Sequence, residues 1–159
     1  SMNTTMSMIH ETSTDTCSVR GVRLFEMRHI IDSERGNLTV GEAGRELPFT
    51  PRRYFLTYAI PTEQTRGAHA HRQCSQFLVC AHGECHLVVD DGENREEFCL
   101  NRPTLGVLVP PMVWAVEHLH SPDSVLMVLA SHLYEPSDYI RDYAEFLRSV
   151  RTLNHGGTE

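Results

Sequence analysis

The sequence predicts an all-β domain, a sandwich or barrel of short strands, with one short α-helix at its C-terminal end. About nine or ten short segments rich in β-branched and aromatic residues follow one another, separated by turn residues at intervals of roughly 8–12 positions. The chain has 159 residues, enough for one domain with a single hydrophobic core. Its apolar fraction of 40% and charged fraction of 22% are those of a globular protein.

Strands are expected wherever apolar and β-branched residues cluster between breakers. In chain order they cover residues 22–31, 38–40, 53–60, 69–71, 76–81, 84–90, 94–100, 106–109, 112–117 and 124–130. The clearest hairpin turn is Asp90-Asp91-Gly92. Prolines at 61, 110 and 111 end the strands before them.

The two ends of the chain depart from this pattern. Residues 1–20 are rich in Ser, Thr and Met without periodicity, so we expect a disordered segment that begins with a tag-cleavage remnant, Ser1-Met2. Near the C-terminus, apolar residues at 139, 140, 143, 146, 147 and 150 have helical spacing, with Ser137 as the expected N-cap. The prediction is one domain over 21–151 and a frayed tail over 152–159.

Composition excludes several classes of function. A net charge of −7 argues against non-specific nucleic-acid binding, but a few arginines gathered in one pocket could still bind an anionic small ligand. No apolar run approaches the roughly 18 residues of a membrane span, and the polar N-terminus does not resemble a signal peptide. The five cysteines include no CxxC pair, so we expect reduced thiols, a cytoplasmic protein and no zinc site.

The most informative motif is Arg66-Gly67-Ala68-His69-Ala70-His71. In a strand, residues two apart share a face, so His69 and His71 should point into the same space, next to Arg66. A single histidine there would usually be a satisfied residue of a barrel wall. Two clustered imidazoles beside an arginine favour a functional site.

The residues after this motif decide between metal chemistry and acid–base chemistry. The spacing H-x-H, four residues, Q, six residues, G resembles the first cupin motif, but Gln76 stands where that motif has glutamate. The region of the second motif, 106–115, contains no histidine, and His118 and His120 come late. Two imidazoles and an amide are a poor ligand set for a divalent transition metal, so we expect no metal.

Two further residues outside the motif, Arg53 and Trp114, are candidates for ligand contact. Arg53 lies in an aromatic strand, and together with Arg66 it suits a phosphate or a developing oxyanion. Trp114, the single tryptophan, fits core packing and ligand contact equally well. Tyr139 and Tyr143 are expected on a helix that covers the barrel.

The chain resembles the sugar-nucleotide 3,4-ketoisomerases of the cupin superfamily, the WxcM-like group, over roughly residues 30–146. The matching landmarks, in chain order, are Asp32 to Leu38, Leu47-Pro48-Phe49, Arg53, the motif 66–71, residues 76–80, Asp90-Asp91-Gly92, Pro111-Met112-Val113-Trp114, residues 125–131, Tyr134-Glu135 and Asp138-Tyr139-Ile140-Arg141. So many ordered matches indicate this group rather than cupins at large.

The resemblance implies a double-stranded β-helix, or jelly roll, and usually a homodimer that exchanges N-terminal strands. It also implies a dTDP-linked keto-deoxyhexose substrate, no metal and no other cofactor. Carried across, His69 and His71 match the family's catalytic histidines, and Arg66 matches an arginine near the substrate. The chain departs from the family pattern at Leu56, where a tyrosine is common, and at Ala115, where a histidine is common.

Our mechanistic hypothesis moves the ketone from C4 to C3 through an enediolate, using histidine because its pKa of about 6.5 lets it take and give protons near neutrality. His71 is assigned as the base and His69 as the proton shuttle, although the reverse assignment is almost as well supported. The residues predicted to contact substrate are Arg53 at the diphosphate, Gln76 and Arg66 at the sugar oxygens, Tyr58 as a local hydroxyl alongside Tyr54, and Trp114.

Three other functions remain open at this stage. A metal-dependent cupin dioxygenase would carry stoichiometric metal. A non-catalytic sugar-nucleotide-binding module would bind dTDP-sugar without proton exchange. In that case Leu56 and Ala115 would be the substitutions that removed the activity. A 3,5-epimerase would exchange protons at C3 and C5 without moving the ketone.

Overall fold

The structure is a computed structural model that describes residues 7–156, and these residues form fourteen strands, all paired antiparallel, and one α-helix. The larger sheet has six strands, in the order β2 (Ser13–Thr16), β3 (Arg23–Glu26), β11 (Leu105–Val109), β8 (Gln76–His82), β13 (Val125–Ala130) and β6 (Arg53–Tyr58). The all-β prediction is therefore confirmed, and the architecture is a cupin-type jelly roll.

A second sheet has five strands, in the order β10 (Arg95–Leu100), β9 (Cys85–Asp90), β12 (Trp114–His118), β7 (Arg66–His71) and β14 (Tyr139–Ile140). Buried side chains from both sheets form one cluster, so the sheets pack face to face. On β9 these are Cys85, Leu87 and Val89, which alternate with half-buried residues as a strand with one face on the core requires. Cys74, Cys80 and Cys85 are buried.

For residues 7–20, the first strands of the chain correct the prediction of disorder over 1–20, whose residues 1–6 lie outside the described part. β1 (Ser7–His10) pairs with β4 (His29–Asp32), which also pairs with β5 (Leu38–Thr39), and β2 pairs with β3. The side chains of β1 and β2 are almost all exposed, so they lack the hydrophobic pattern that reveals a strand. Backbone hydrogen bonds to strand edges order this segment instead. The proposed tag remnant, Ser1-Met2, lies outside the described residues.

The C-terminal helix α1 (Tyr143–Gly156) begins later and ends later than the sequence predicted. Asp142 precedes it, and the Asp142 Oδ2 accepts a hydrogen bond from the Glu145 N–H at 3.3 Å, as an N-cap does. The predicted N-cap, Ser137, instead lies in a 3₁₀ turn (Pro136–Asp138). The helix also covers part of the predicted tail, since it continues to Gly156, and residues 157–159 lie outside the described part.

Tyr139 and Ile140 were predicted as helical, yet they form the edge strand β14. Their partners on β7 are His71 and Ala70. Ile140 is fully buried with Ala70, Trp114 and Phe146 under the helix. The apolar spacing fits a helix, but backbone pairing with β7 and burial of Ile140 decide the conformation. Within residues 7–156, no helix has the length and apolar character needed to cross a membrane.

Candidate active site

A cavity of about 430 Å³ opens between β6 of the larger sheet and β7 and β12 of the smaller one. Its wall carries polar and charged side chains from segments far apart in sequence. Those that bear on chemistry are Arg53, Arg66, His69, Gln76, Glu117, Tyr139 and Arg141. Four of the seven residues named from the sequence, Arg53, Arg66, His69 and Gln76, are therefore brought together here.

His69 lines this cavity as a neutral base. Its Nδ1 lies 2.8 Å from the carbonyl oxygen of Gly67, which can only accept a hydrogen bond, so Nδ1 carries the proton and Nε2 the lone pair. Burial lowers the pKa of His69 to about 4, against the opposing effect of the Gly67 hydrogen bond. At neutral pH the imidazole is uncharged and able to accept a proton.

His71 lies beside His69 but is covered. The two rings meet edge to face with centroids 4.9 Å apart, so both side chains do lie on one face of β7, as the sequence predicted. His71 is only 5% exposed and does not line the cavity. Its Nδ1 donates to the Asp138 Oδ2 at 2.9 Å, and its buried Nε2 has no hydrogen-bond partner among the described residues. Burial lowers the pKa of His71 as well, although the Asp138 hydrogen bond opposes this.

Asp138 is a site residue whose role the sequence analysis missed. Besides the His71 imidazole, its carboxylate accepts hydrogen bonds from the backbone N–H groups of Gln73 at 2.7 Å and Cys74 at 3.3 Å. Burial raises the pKa of Asp138, but these hydrogen bonds together lower it below its ordinary value. An ionised Asp138 therefore fixes both the orientation and the tautomer of His71.

Tyr139 and Arg141 were also missed, because the sequence placed them on a helix. The Tyr139 ring contacts the rings of both histidines, with centroids 4.9 Å from His69 and 4.4 Å from His71. The Arg141 guanidinium stacks over it at 4.3 Å, and Arg53 Nη2 donates to its hydroxyl at 3.4 Å. The only signal for them in the sequence was the family landmark 138–141.

Glu117 is the one acidic side chain that lines the cavity within the described residues. It is 8% exposed, and its Oε2 has no hydrogen-bond partner in the described part of the chain. Burial raises its pKa to about 7, even though its own backbone and Arg66 favour the charged form. The available signal was strand alternation, which turns Ala115 and Glu117 of β12 inward together.

Two sequence-predicted contacts lie elsewhere. On β6, Arg53, Phe55 and Thr57 face the cavity, whereas Tyr54 and Tyr58 project outward and are 69% and 65% exposed. The strand's period of two thus keeps Tyr58 from the cavity. Trp114 is buried on the outer face of β12 among Tyr143, Phe146 and the helix, so core packing is its observed role.

Comparisons with known proteins identify the family of this chain. A family model described as "FdtA: WxcM-like, C-terminal" matches residues 20–151. The chain belongs to this WxcM-like family. It is 39% identical over 132 residues to the TDP-4-oxo-6-deoxy-alpha-D-glucose-3,4-oxoisomerase of Aneurinibacillus thermoaerophilus, covering 83% of this chain and 94% of that protein.

Solved structures of ketoisomerases share the fold of this WxcM-like protein. A 3,4-ketoisomerase from Helicobacter canadensis aligns with a TM-score of 0.79 and 36% identity, covering 82% of this chain and 98% of its own. The 3,4-ketoisomerase QdtA from Thermoanaerobacterium thermosaccharolyticum aligns with a TM-score of 0.81 and 28% identity, covering 84% and 96%. That structure is of a histidine-to-asparagine mutant in complex with TDP-4-keto-6-deoxyglucose.

The donor set of this WxcM-like site suits hydrogen bonding better than metal binding. His71, Cys74 and Asp138 have potential ligand atoms within 4.8 Å of one another, but the Asp138 oxygens already accept three hydrogen bonds. Gln76 offers only a neutral amide. Ala115, which pairs with His69 across β12 and β7, offers no ligand.

Proposed function

We propose that this WxcM-like protein is a sugar-nucleotide 3,4-ketoisomerase that converts dTDP-4-keto-6-deoxyglucose into a dTDP-3-keto-6-deoxyhexose. The supporting relatives are the 3,4-oxoisomerase at 39% identity and the ketoisomerase solved with TDP-4-keto-6-deoxyglucose. The observation that carries the proposal is His69, a neutral imidazole on the wall of a cavity that also holds three arginines.

In the proposed reaction His69 is the base. The proton on C3 is acidic because the C4 carbonyl is adjacent, and the His69 Nε2 removes it to form an enediol or enediolate. The sequence had favoured His71 as the base, with the reverse left open. We now assign the base to His69, because His69 lines the cavity whereas His71 is covered and held by Asp138. His71 then supports the His69 ring.

The arginines account for the rest of the substrate. Arg53, Arg66 and Arg141 give the cavity a positive charge although the chain as a whole is acidic. Guanidinium groups bind phosphate oxygens through paired hydrogen bonds, so this charge suits a diphosphate. Gln76, which is buried on β8 at the cavity wall, is positioned to hydrogen-bond a sugar oxygen.

The test is proton NMR of the purified protein with dTDP-4-keto-6-deoxyglucose in deuterated buffer. A ketone at C3 with deuterium at C4 is the expected result for the native protein. His69→Asn should lose turnover by at least about a thousandfold while binding of dTDP is kept, because its amide cannot act as a base. His82→Asn is the matched control, since His82 is exposed and pairs with Asp123 away from the cavity.

Two other results would contradict the assignment. Deuterium at C3 and C5 with the ketone unmoved would identify a 3,5-epimerase. Binding of the substrate without any exchange would identify a non-catalytic sugar-nucleotide-binding module.

We also propose a cytoplasmic homodimer that exchanges N-terminal strands. The ribbon of β1, β4 and β5 exposes Met8, Ile9, Ile31 and Leu38, apolar surface that a second copy would cover. β1 pairs with its own β4, and two copies can exchange this strand without a change of register. The five cysteines are unpaired, as in a reducing compartment. Light scattering at several protein concentrations measures the oligomeric state.

A further inference from the structure

The two histidines leave the proposed reaction without a matched proton donor. Both Nδ1–H groups are already directed at fixed acceptors, His69 to the Gly67 carbonyl and His71 to Asp138. Both imidazoles are neutral at pH 7, because burial lowers both pKa values. Enolisation needs a proton delivered to the ketone oxygen as the C3 proton leaves, and neither ring carries a spare one.

Glu117 occupies the same cavity and has the geometry of a donor. β12 and β7 pair antiparallel, with Ala115 opposite His69 and Glu117 opposite Arg66, so the carboxyl lies on the strand next to the base. Its Oε2 is packed against Gly67, where any side chain would fill the space that the carboxyl occupies. The same oxygen is buried and has no hydrogen-bond partner among residues 7–156, and the side chain lines the cavity.

We propose that Glu117 is the acid that protonates the sugar's ketone oxygen, with His69 as the base on the neighbouring strand. This inference rests on the proposed ketoisomerase function and adds to it a second catalytic residue. A protonated carboxyl is a stronger acid than a phenol, the group that Tyr134 and Tyr139 contribute to the cavity wall. Brønsted behaviour favours a donor whose pKa is close to the operating pH.

The proton balance closes within these two groups. The His69 Nε2 takes the C3 proton, the C–H electrons form the C3=C4 double bond, and the O4 carbonyl oxygen takes the Glu117 proton. The result is a neutral enediol, an imidazolium and a carboxylate. In the second half, the imidazolium exchanges its Nε2 proton with solvent and then delivers a proton to C4, the O3 hydroxyl gives its proton to Glu117, and the C3 ketone forms. Both side chains return to their starting states, with no oxidant or reductant required.

The expected pH dependence follows from burial of both groups. Activity should rise through pH 4 as His69 loses its proton and fall through pH 7 as Glu117 loses its proton. The groups that share the cavity with Glu117 or face it from neighbouring strands are Arg53, Arg66, His69, Cys85, Tyr134, Tyr139 and Arg141. A hydrogen bond with Cys80, together with burial, raises the pKa of Cys85, so this thiol stays protonated near neutrality. The limb that falls near pH 7 is therefore assigned to Glu117.

The experiment measures kcat/KM between pH 5 and 9 for the native protein and for Glu117→Gln. The amide preserves shape and the ability to donate a hydrogen bond, but it cannot transfer a proton. We expect a loss of about 100-fold or more at pH 6 and the disappearance of the falling limb. Glu63→Gln is the matched control, since Glu63 is exposed in the loop between β6 and β7. Glu117→Asp, which keeps an acid, should retain a falling limb at a reduced rate.

The outcomes separate this inference from the proposed function. If Glu117→Gln keeps the native rate and the native falling limb, Glu117 is not the donor and the ketoisomerase assignment stands. If the native protein binds the substrate but never moves the ketone, the proposed function fails, and the donor assignment fails with it. If Glu117→Gln does not fold, a native profile that stays flat from pH 6 to pH 9, or a flat profile for Glu117→Asp, overturns the donor role.

Discussion

Replacing Glu117 with glutamine measures directly the free energy that burial of this carboxyl costs. Its pKa rises from 4.5 to about 7 on folding. The folded protein therefore binds more protons than the unfolded chain between these pH values, so stability is complete below pH 4.5 and is lost as the pH rises towards 7. At about 1.4 kcal/mol per pH unit, this difference corresponds to about 3 kcal/mol above pH 7.

Glutamine cannot ionise, so the variant should lack this loss. Urea unfolding at pH 5 and pH 8 gives the free energy of unfolding for both proteins. The stability of Glu117→Gln relative to the native protein should increase by about 2–3 kcal/mol between the two pH values, or by roughly 4–12 °C in melting temperature. A constant difference between the two proteins, within the scatter of the exposed control Glu63→Gln, would show that Glu117 ionises normally and would refute the argument from burial.

Two further predictions test how the site is built. Gly67→Ala should destabilise the fold by about 1–3 kcal/mol in urea unfolding, because Gly67 has a φ of 84° and a methyl group would meet the Glu117 carboxyl and lie 3.0 Å from the Ala115 carbonyl oxygen. Trp114→Ala should lower the free energy of unfolding by about 3–5 kcal/mol by leaving a cavity under the helix. Because Trp114 does not line the site, the KM of the folded fraction should stay unchanged, and a large rise in KM at low temperature would contradict its assignment to the core.

Strands could be predicted wherever the pattern of buried side chains is visible in the sequence of the strand itself. The segments that became β6 to β13 combine alternating or continuous apolar residues with Pro, Gly and Asp breakers, and all eight were expected close to their observed positions. β1, β2 and β14 were missed because each is held by backbone pairing at a sheet edge. Pairing through the backbone leaves no hydrophobic periodicity in the sequence. At residues 139 and 140, the helical spacing of apolar residues therefore predicted the wrong secondary structure.

The same distinction explains which site residues were found. His69 was recognised because the i, i+2 spacing is a local property, and Gln76 because its distance from that motif is short. Glu117 and Arg141 reach the cavity through pairings that join β7 to β12 and to β14. Without the register of these strands, nothing connects residue 117 to residue 66. The predicted substrate contact of Tyr58 was wrong for a simpler reason. Side chains alternate between the two faces of β6, and Tyr58 lies on the face that points away from the cavity.

Burial reverses the acid–base order that the residue types alone would give. Glutamate and histidine have ordinary pKa values of 4.5 and 6.5, so in water near pH 5.5 the carboxyl is ionised and the imidazole is protonated. In the cavity, desolvation raises the pKa of Glu117 to about 7 and lowers that of His69 to about 4. Between these values the carboxyl holds a proton and the imidazole can accept one, which is the state that enolisation needs. Because Glu117 and His69 are both neutral, neither side chain compensates the positive charge of the cavity arginines, Arg53, Arg66 and Arg141. Burial therefore prepares the acid and the base and also leaves the arginines available to bind an anionic substrate.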